Sequence, residues 1–401
     1  MRYMLGTVAA LAAAGSAHAE EVDLKPIVEA RARYEHVDQD DIDKAADALT
    51  LRLRAGATAT TGAFSATVVG QGTLAAVDHY YDGLNGVANR PLVADPQDIA
   101  LYLAQLQYKT KGVTLTAGRQ RIALDDERFV GNAGFRDNAQ TFDAVRAELT
   151  PLKGLKLDVS YAWSARTIWG IDGHGARQQA VSGDNVFANL SYVTPVGTLS
   201  GFAYLVDQDE AAVQGYRLSS QTYGTRLAGS HAFGKDAKLS WQASYARQYD
   251  WHHNPNNYHA DYWLADALLD VKGWKLNGGY EVLGASSGAA LTSFQVPLGT
   301  NFKFQGWADK FLTTPANGVR DLYFGGGYGM KQLGPLSAVA LQGTWHRFDG
   351  DRLDQHYGNE LDLIASAKVS KTTVALRYAH YDARQMAVDT DKYWIQFDWA
   401  I

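Results

Sequence analysis

Leu155-Lys156-Leu157-Asp158-Val159-Ser160-Tyr161-Ala162-Trp163-Ser164 sets an apolar residue beside a small, polar or charged one through its whole length. An extended chain sends successive side chains to opposite faces, so this stretch has one apolar face and one wet face. The rhythm returns where Trp274, Leu276, Gly278, Tyr280 and Val282 alternate with Lys275, Asn277, Gly279 and Glu281. It returns again where Leu361, Leu363, Ala365, Ala367 and Val369 alternate with Asp362, Ile364, Ser366 and Lys368. The chain closes with Tyr393, Ile395, Phe397, Trp399 and Ile401 on one face. Strands of soluble sandwiches alternate too, but run about five or six residues. These runs last roughly 10 to 14, the length a tilted strand needs to cross a bilayer.

The connections alternate as well. Tight polar turns stand at Thr61-Gly62, Lys111-Gly112, Thr150 to Gly154, Thr194 to Gly197, Gly234 to Asp236, Lys272-Gly273, Leu333 to Pro335 and Ser370-Lys371. Between them lie longer polar or Gly/Asp-rich stretches at 38–46, 78–97, 123–138, 165–183, 207–220, 250–257, 284–318, 349–356 and 383–390. Short periplasmic turns and longer external loops are the outer-membrane pattern. Eight turns join sixteen strands, and the first and last strands bring the expected total to about 18, an even number that returns both termini to the periplasm. That count requires 284–318 to be one external excursion, although Asn301 to Leu312 looks strand-like.

Composition agrees. Gly (39) and Tyr plus Trp (22 and 10) are abundant and Pro (9) is scarce, as interfacial aromatics and unbroken strand ladders require. There is no Cys; a closed barrel, with each strand bonded to two neighbours, needs no disulfide. Residues 1–19 read as a signal peptide, with Arg2, an apolar run from Met4 to Gly15, and Ala17-His18-Ala19 ahead of cleavage before Glu20. That run is too short to span a bilayer. A net charge of −6 argues against a nucleic-acid partner. The expectation is an all-β chain: one transmembrane antiparallel barrel over 20–401, with Glu20 and Glu21 as a periplasmic stub and strands from about Val22.

Three segments carry a family resemblance. They are Gly118-Arg119-Gln120-Arg121-Ile122 with Asp125-Asp126-Glu127-Arg128-Phe129-Val130-Gly131-Asn132; Gln140-Thr141-Phe142-Asp143; and Tyr280-Glu281-Val282-Leu283 followed by Lys303-Phe304-Gln305-Gly306-Trp307-Ala308-Asp309-Lys310-Phe311. Together they resemble the alginate-export family of outer-membrane channels, sharply across 115–147 and 278–324. The resemblance implies an 18-stranded barrel in a Gram-negative outer membrane with an arginine-rich lumen for anionic polysaccharide. It places Arg119, Arg121, Asp143 and Arg146 among the pore-lining residues.

The residues give their own account of the lumen. Alternation turns Glu29, Arg31, Arg33 and Glu35 inward from the first strand and Arg52 and Arg54 from the second. Lys368 and Arg377 join them from strands sixteen and seventeen, beside the first once the barrel closes. Asp158, Asp266, Asp270 and Glu281 face them from roughly the other side, diluted by Lys156 and Lys275. A basic wall opposite a partly acidic one makes a transverse field that favours anions near the basic side. Ordinary paired charges in an unselective pore are the competing reading. Segment 284–318, with Trp307 among Lys303, Gln305, Asp309 and Lys310, has too many charges for lipid and too many aromatics for a loose loop. Folded inward, Phe304, Trp307 and Phe311 would pack on the wall. Segment 123–138, with Asp125, Asp126, Arg128 and Arg136, is the second candidate constriction; a solvated surface loop is its plainer reading.

Enzyme signatures are weak: Gly284-Ala285-Ser286-Ser287-Gly288 has the Gly-x-Ser-x-Gly spacing but opens the long 284–318 connection rather than a strand-to-helix turn, and there is no phosphate-cradling Gly-rich loop. His252, His253 and His259 match no zinc spacing, and Arg128 weakens Asp125-Asp126-Glu127 as a calcium site. The expectation is therefore a non-enzymatic channel without cofactor or metal, whose partners are outer-membrane lipid, the assembly machinery and a hydrophilic, preferentially anionic solute. A barrel-embedded hydrolase and a non-conducting structural or adhesin barrel are the alternatives.

Overall fold

The computed structural model describes residues 21–401; the expected signal peptide lies outside them. The strands are β1 (Asp23–Gln39), β2 (Ala46–Thr61), β3 (Phe64–His79), β4 (Asp98–Thr110), β5 (Val113–Gln120) and β6 (Thr141–Leu152). Then come β7 (Leu155–Arg166), β8 (Ala180–Thr194), β9 (Gly197–Val206), β10 (Ser220–Phe233), β11 (Ala237–Asp250) and β12 (His259–Val271). The last six are β13 (Trp274–Leu283), β14 (Val319–Leu333), β15 (Leu336–Asp349), β16 (His356–Val369), β17 (Thr372–Ala383) and β18 (Thr390–Ala400). All pair antiparallel in one 18-stranded sheet, and β1 pairs with both β2 and β18, so the sheet closes. β13 bonds directly to β14, so 284–318 contributes no strand to the wall. Strand length runs from 8 residues in β5 to 17 in β1, a wider spread than the sequence rhythm suggests.

The alternation divides lipid from lumen. On β18 Tyr393, Ile395 and Phe397 are 47%, 42% and 45% exposed, whereas Trp394 and Gln396 between them are 1% and 5%. Exposed apolar residues thus form the outer surface, as they must where hydrocarbon is the solvent. Outward aromatic pairs stand near both rims: Phe64 against Tyr108 and Trp274 against Tyr328 beside short turns, Tyr245 against Trp263 and Tyr378 against Tyr393 toward the long loops. Amphipathic rings at headgroup level anchor the barrel vertically.

The two faces should respond oppositely to charge. Leu363→Arg, on the outer face of mid-β16, should destabilise the barrel by about 2–4 kcal/mol in lipid vesicles. Thr344→Arg, inward on β15 opposite Asp362, should cost less than about 1 kcal/mol. Urea unfolding followed by Trp fluorescence measures both.

Candidate functional site: a folded plug above a basic vestibule

Loop 121–140 leaves the short β5 and crosses the lumen instead of rising from the rim. At its start Asp125 accepts from Asn189 of β8 at 2.8 Å, and Asp126 sits 3.6 Å from Arg226 of β10. Phe129 packs among Phe202, Tyr204, Tyr262 and Phe294. Arg128 reaches β13, donating from Nε to Glu281 at 2.7 Å, and from Nη2 to Gln305 at 2.8 Å. The far end reaches the opposite wall, where Arg31 of β1 donates to the Phe135 carbonyl at 2.7 Å. Asn138 accepts from Gln71 and Thr73 of β3, both at 2.9 Å.

Loop 284–318 folds in against it. Gly131 and Gln140 both donate to the Leu298 carbonyl at 2.9 Å, and the Phe135 and Phe302 rings stack 3.5 Å apart at an angle of 4°. Trp394 meets both rings edge-on from the β18 wall. Phe311 packs on Phe348, Tyr357 and Tyr381 of β15, β16 and β17. The tip hooks onto Glu360 of β16, whose carboxylate accepts from the backbone N–H of Trp307 and Ala308 at 2.5 and 2.7 Å. Gly306 makes that approach possible: its φ is +76°, and a Cβ there would lie 2.4 Å from the Glu360 carboxylate.

Loop 80–97 supplies the central counter-charge. Asp95 pairs with Arg33 of β1, lies 3.3 Å from Arg136, and accepts from the Asp137 N–H at 2.6 Å. Arg136 continues to Asp309 at 2.7 Å, and Asp309 to Lys392 of β18 at 2.8 Å. Three loops and two strands, β1 and β18, thus share one buried ion network. Burial alone would raise the Asp95 and Asp309 carboxyls, but Arg33 and Arg136 hold Asp95, and Lys392 and Arg136 hold Asp309, below the usual carboxylate range. Burial, reinforced by Lys392, pushes Lys310 down to about 8.

The placement of the expected lining residues follows. Arg31, Arg52, Arg54, Arg121 and Lys368 border a cavity of about 550 Å³ on the periplasmic side of the plug. Arg146 faces inward but is tied to Asp158 at 2.6 Å. Lys303 lies 3.3 Å from Glu127, and Trp307 stacks parallel to Phe302 at 6.1 Å rather than on the wall. Phe304 lies under the Arg128 guanidinium. Arg377 has no ion pair among the described residues and stands 5.5 Å from the Phe135 ring.

Three expectations need correction. Arg119 and Asp143 do not line the lumen. They bind each other at 2.8 Å on the face that carries Leu115 and Val145, while inward-facing Phe142 and Ala144 flank Asp143 fully buried. Arg33, Arg128 and Arg136 are sealed against the plug and anchor it, because the loops bring Asp95 and Asp309 onto Arg33 and Arg136 and carry Arg128 to Glu281 of β13. The acidic side is also displaced: Asp158 is neutralised, and the carboxylates gather as Glu281, Asp321, Glu360 and Asp362 on β13, β14 and β16. They stand beside the basic wall rather than across from it. Asp321 and Lys392 escaped the sequence reading, although strand parity would mark them as inward-facing; nothing local in the sequence marks Asp95, whose role depends on a loop folding inward.

Taken together, a closed 18-strand barrel, apolar outside and constricted by its own loops, is a channel-type barrel of the Gram-negative outer membrane. The alginate-export family model matches residues 24–248, more than half of the chain, and the chain belongs to that family. The match ends before 278–324, the stretch that holds the Glu360 hook. The fold is similar to OccK9 (OpdG) of Pseudomonas aeruginosa, with a TM-score of 0.72 at 14% identity over 94% of this chain and 99% of that one. It is also similar to OccAB4 (TM-score 0.71, 13% identity, 94% and 98% coverage) and OccAB3 (0.69, 14%, 94% and 100%) of Acinetobacter baumannii. At such identities the likeness is one of fold. No curated protein matches the chain.

Gly306→Ala should unhook loop 284–318 and raise single-channel conductance while leaving the barrel's resistance to detergent intact. Acid should do the same. The lowered Asp95 and Asp309 carboxyls stabilise the docked plug above the ordinary carboxylate range, and that stability is lost as pH falls through their lowered values. Conductance should therefore hold steady across neutral pH and rise only in strong acid.

Proposed function

We propose that this barrel lets hydrophilic anions cross the outer membrane by diffusion, and that small organic anions are its cargo in the plugged state. The carrying observation is the imbalance around the periplasmic cavity, where Arg31, Arg52, Arg54, Arg121, Lys368 and Lys371 face only Glu29 and Asp398. Asp398 is taken by Arg31 at 2.7 Å and Glu29 by Arg54 at 3.2 Å. Arg121, Lys368 and Lys371 have no ion pair among the described residues, and the buried Arg52 Nε has no acceptor among them. A carboxylate entering the cavity would meet Arg121, Lys368 and Lys371 in charge-assisted bonds. A polysaccharide would need the two joined loops to part, which favours smaller solutes. Residues 1–19 are proposed to be removed on export, and β18 to be the segment that the assembly machinery reads. No observation favours a hydrolase.

Purified protein in planar bilayers under a KCl gradient should give a reversal potential of anion-selective sign. Replacing Arg52 and Arg54 together by Ala should shift it toward zero. Cation preference would overturn the anion reading, and silence would favour a non-conducting barrel.

A further inference from the structure

The charge of this barrel is polarised along its axis. Five of the eight short periplasmic turns carry an exposed lysine, Lys111, Lys153, Lys235, Lys272 and Lys371, and the only acid in those turns is Asp236. The cavity above them is basic too. At the other mouth the six loops outside the plug hold ten carboxylates against five Lys and Arg. Asp40, Asp41, Asp43, Asp172, Asp209 and Asp354 are among the exposed ones.

We propose that the channel rectifies: anions enter more readily from the periplasmic mouth and cations from the external mouth, with the plug as the junction between the two zones. This rests on the channel reading above. A confined ring of one sign concentrates its counter-ions and repels its co-ions. With the external side positive, each ion approaches through the mouth that attracts it, so both accumulate in the pore and current rises. With the voltage reversed, each meets the mouth that repels it, and the pore is depleted. The effect needs mouths no wider than a few Debye lengths, about 10 Å each at 0.1 M salt and about 3 Å at 1 M.

Current–voltage curves in symmetric KCl test this. The chain has no Cys, so Asn89→Cys in external loop 80–97, labelled by a membrane-impermeant thiol reagent from one chamber, reports which way each barrel faces. At 0.1 M KCl the current should be larger with the external side positive, by roughly two-fold, and the asymmetry should vanish at 1 M. The triple change of Asp40, Asp41 and Asp43 to Asn should reduce it, as should Lys368→Gln with Lys371→Gln. A linear or oppositely rectifying curve from an anion-selective channel would overturn this inference and leave the proposed function standing, whereas absence of conductance would remove both.

Discussion

Hydrocarbon offers no hydrogen-bond partner, and the whole molecule follows from that. Each backbone N–H and C=O within the membrane must be satisfied by the chain itself, and an open sheet would leave two edges bare at a cost of several kcal/mol per group. Pairing β18 with β1, from Glu29 opposite Ala400 to Gln39 opposite Thr390, removes both edges. Closure then fixes the two-residue alternation, since one face of every strand meets lipid and the other the lumen.

A closed barrel of 18 strands is wider than its wall side chains can fill, and this one fills the space with its own loops. The cost of burying Arg33, Arg128 and Arg136 is offset only because each meets a carboxylate, often from a different loop. Removing one partner of such a buried pair leaves the other stranded, typically at 3–5 kcal/mol. The Asp95–Arg136–Asp309–Lys392 chain therefore makes docking of the three loops cooperative. What remains open below the plug is a cavity where cations outnumber their partners.

The barrel was readable because its signal is local and repeated. Tyr393 to Ile401 shows lipid and lumen faces without any knowledge of neighbours, and seven of the eight tight turns hold Gly or Lys. The exclusion of Asn301 to Leu312 from the wall followed from parity of strand number. The plug was readable only in part. An odd mixture of charge and aromatic side chains marked 284–318 and 123–138 as inward-folding, but their partners sit tens to hundreds of residues away. Arg119 and Asp143 were misplaced because a motif was followed against the parity that Phe142 and Val145 already gave. Asp95 lies in a loop whose composition differs little from an ordinary surface excursion.

The account stands or falls on lipid outside and an aqueous, polar interior. Single cysteines along β18 read this directly, at Tyr393, Ile395 and Phe397 on one face and at Gln396 and Asp398 on the other. Spin-labelled in lipid vesicles, the first set should be reached by oxygen dissolved in the bilayer. The second should be reached by a water-soluble nickel chelate, with the pattern switching at each residue. Uniform accessibility along the strand, or a chain that stays folded and monomeric without detergent or lipid, would contradict it.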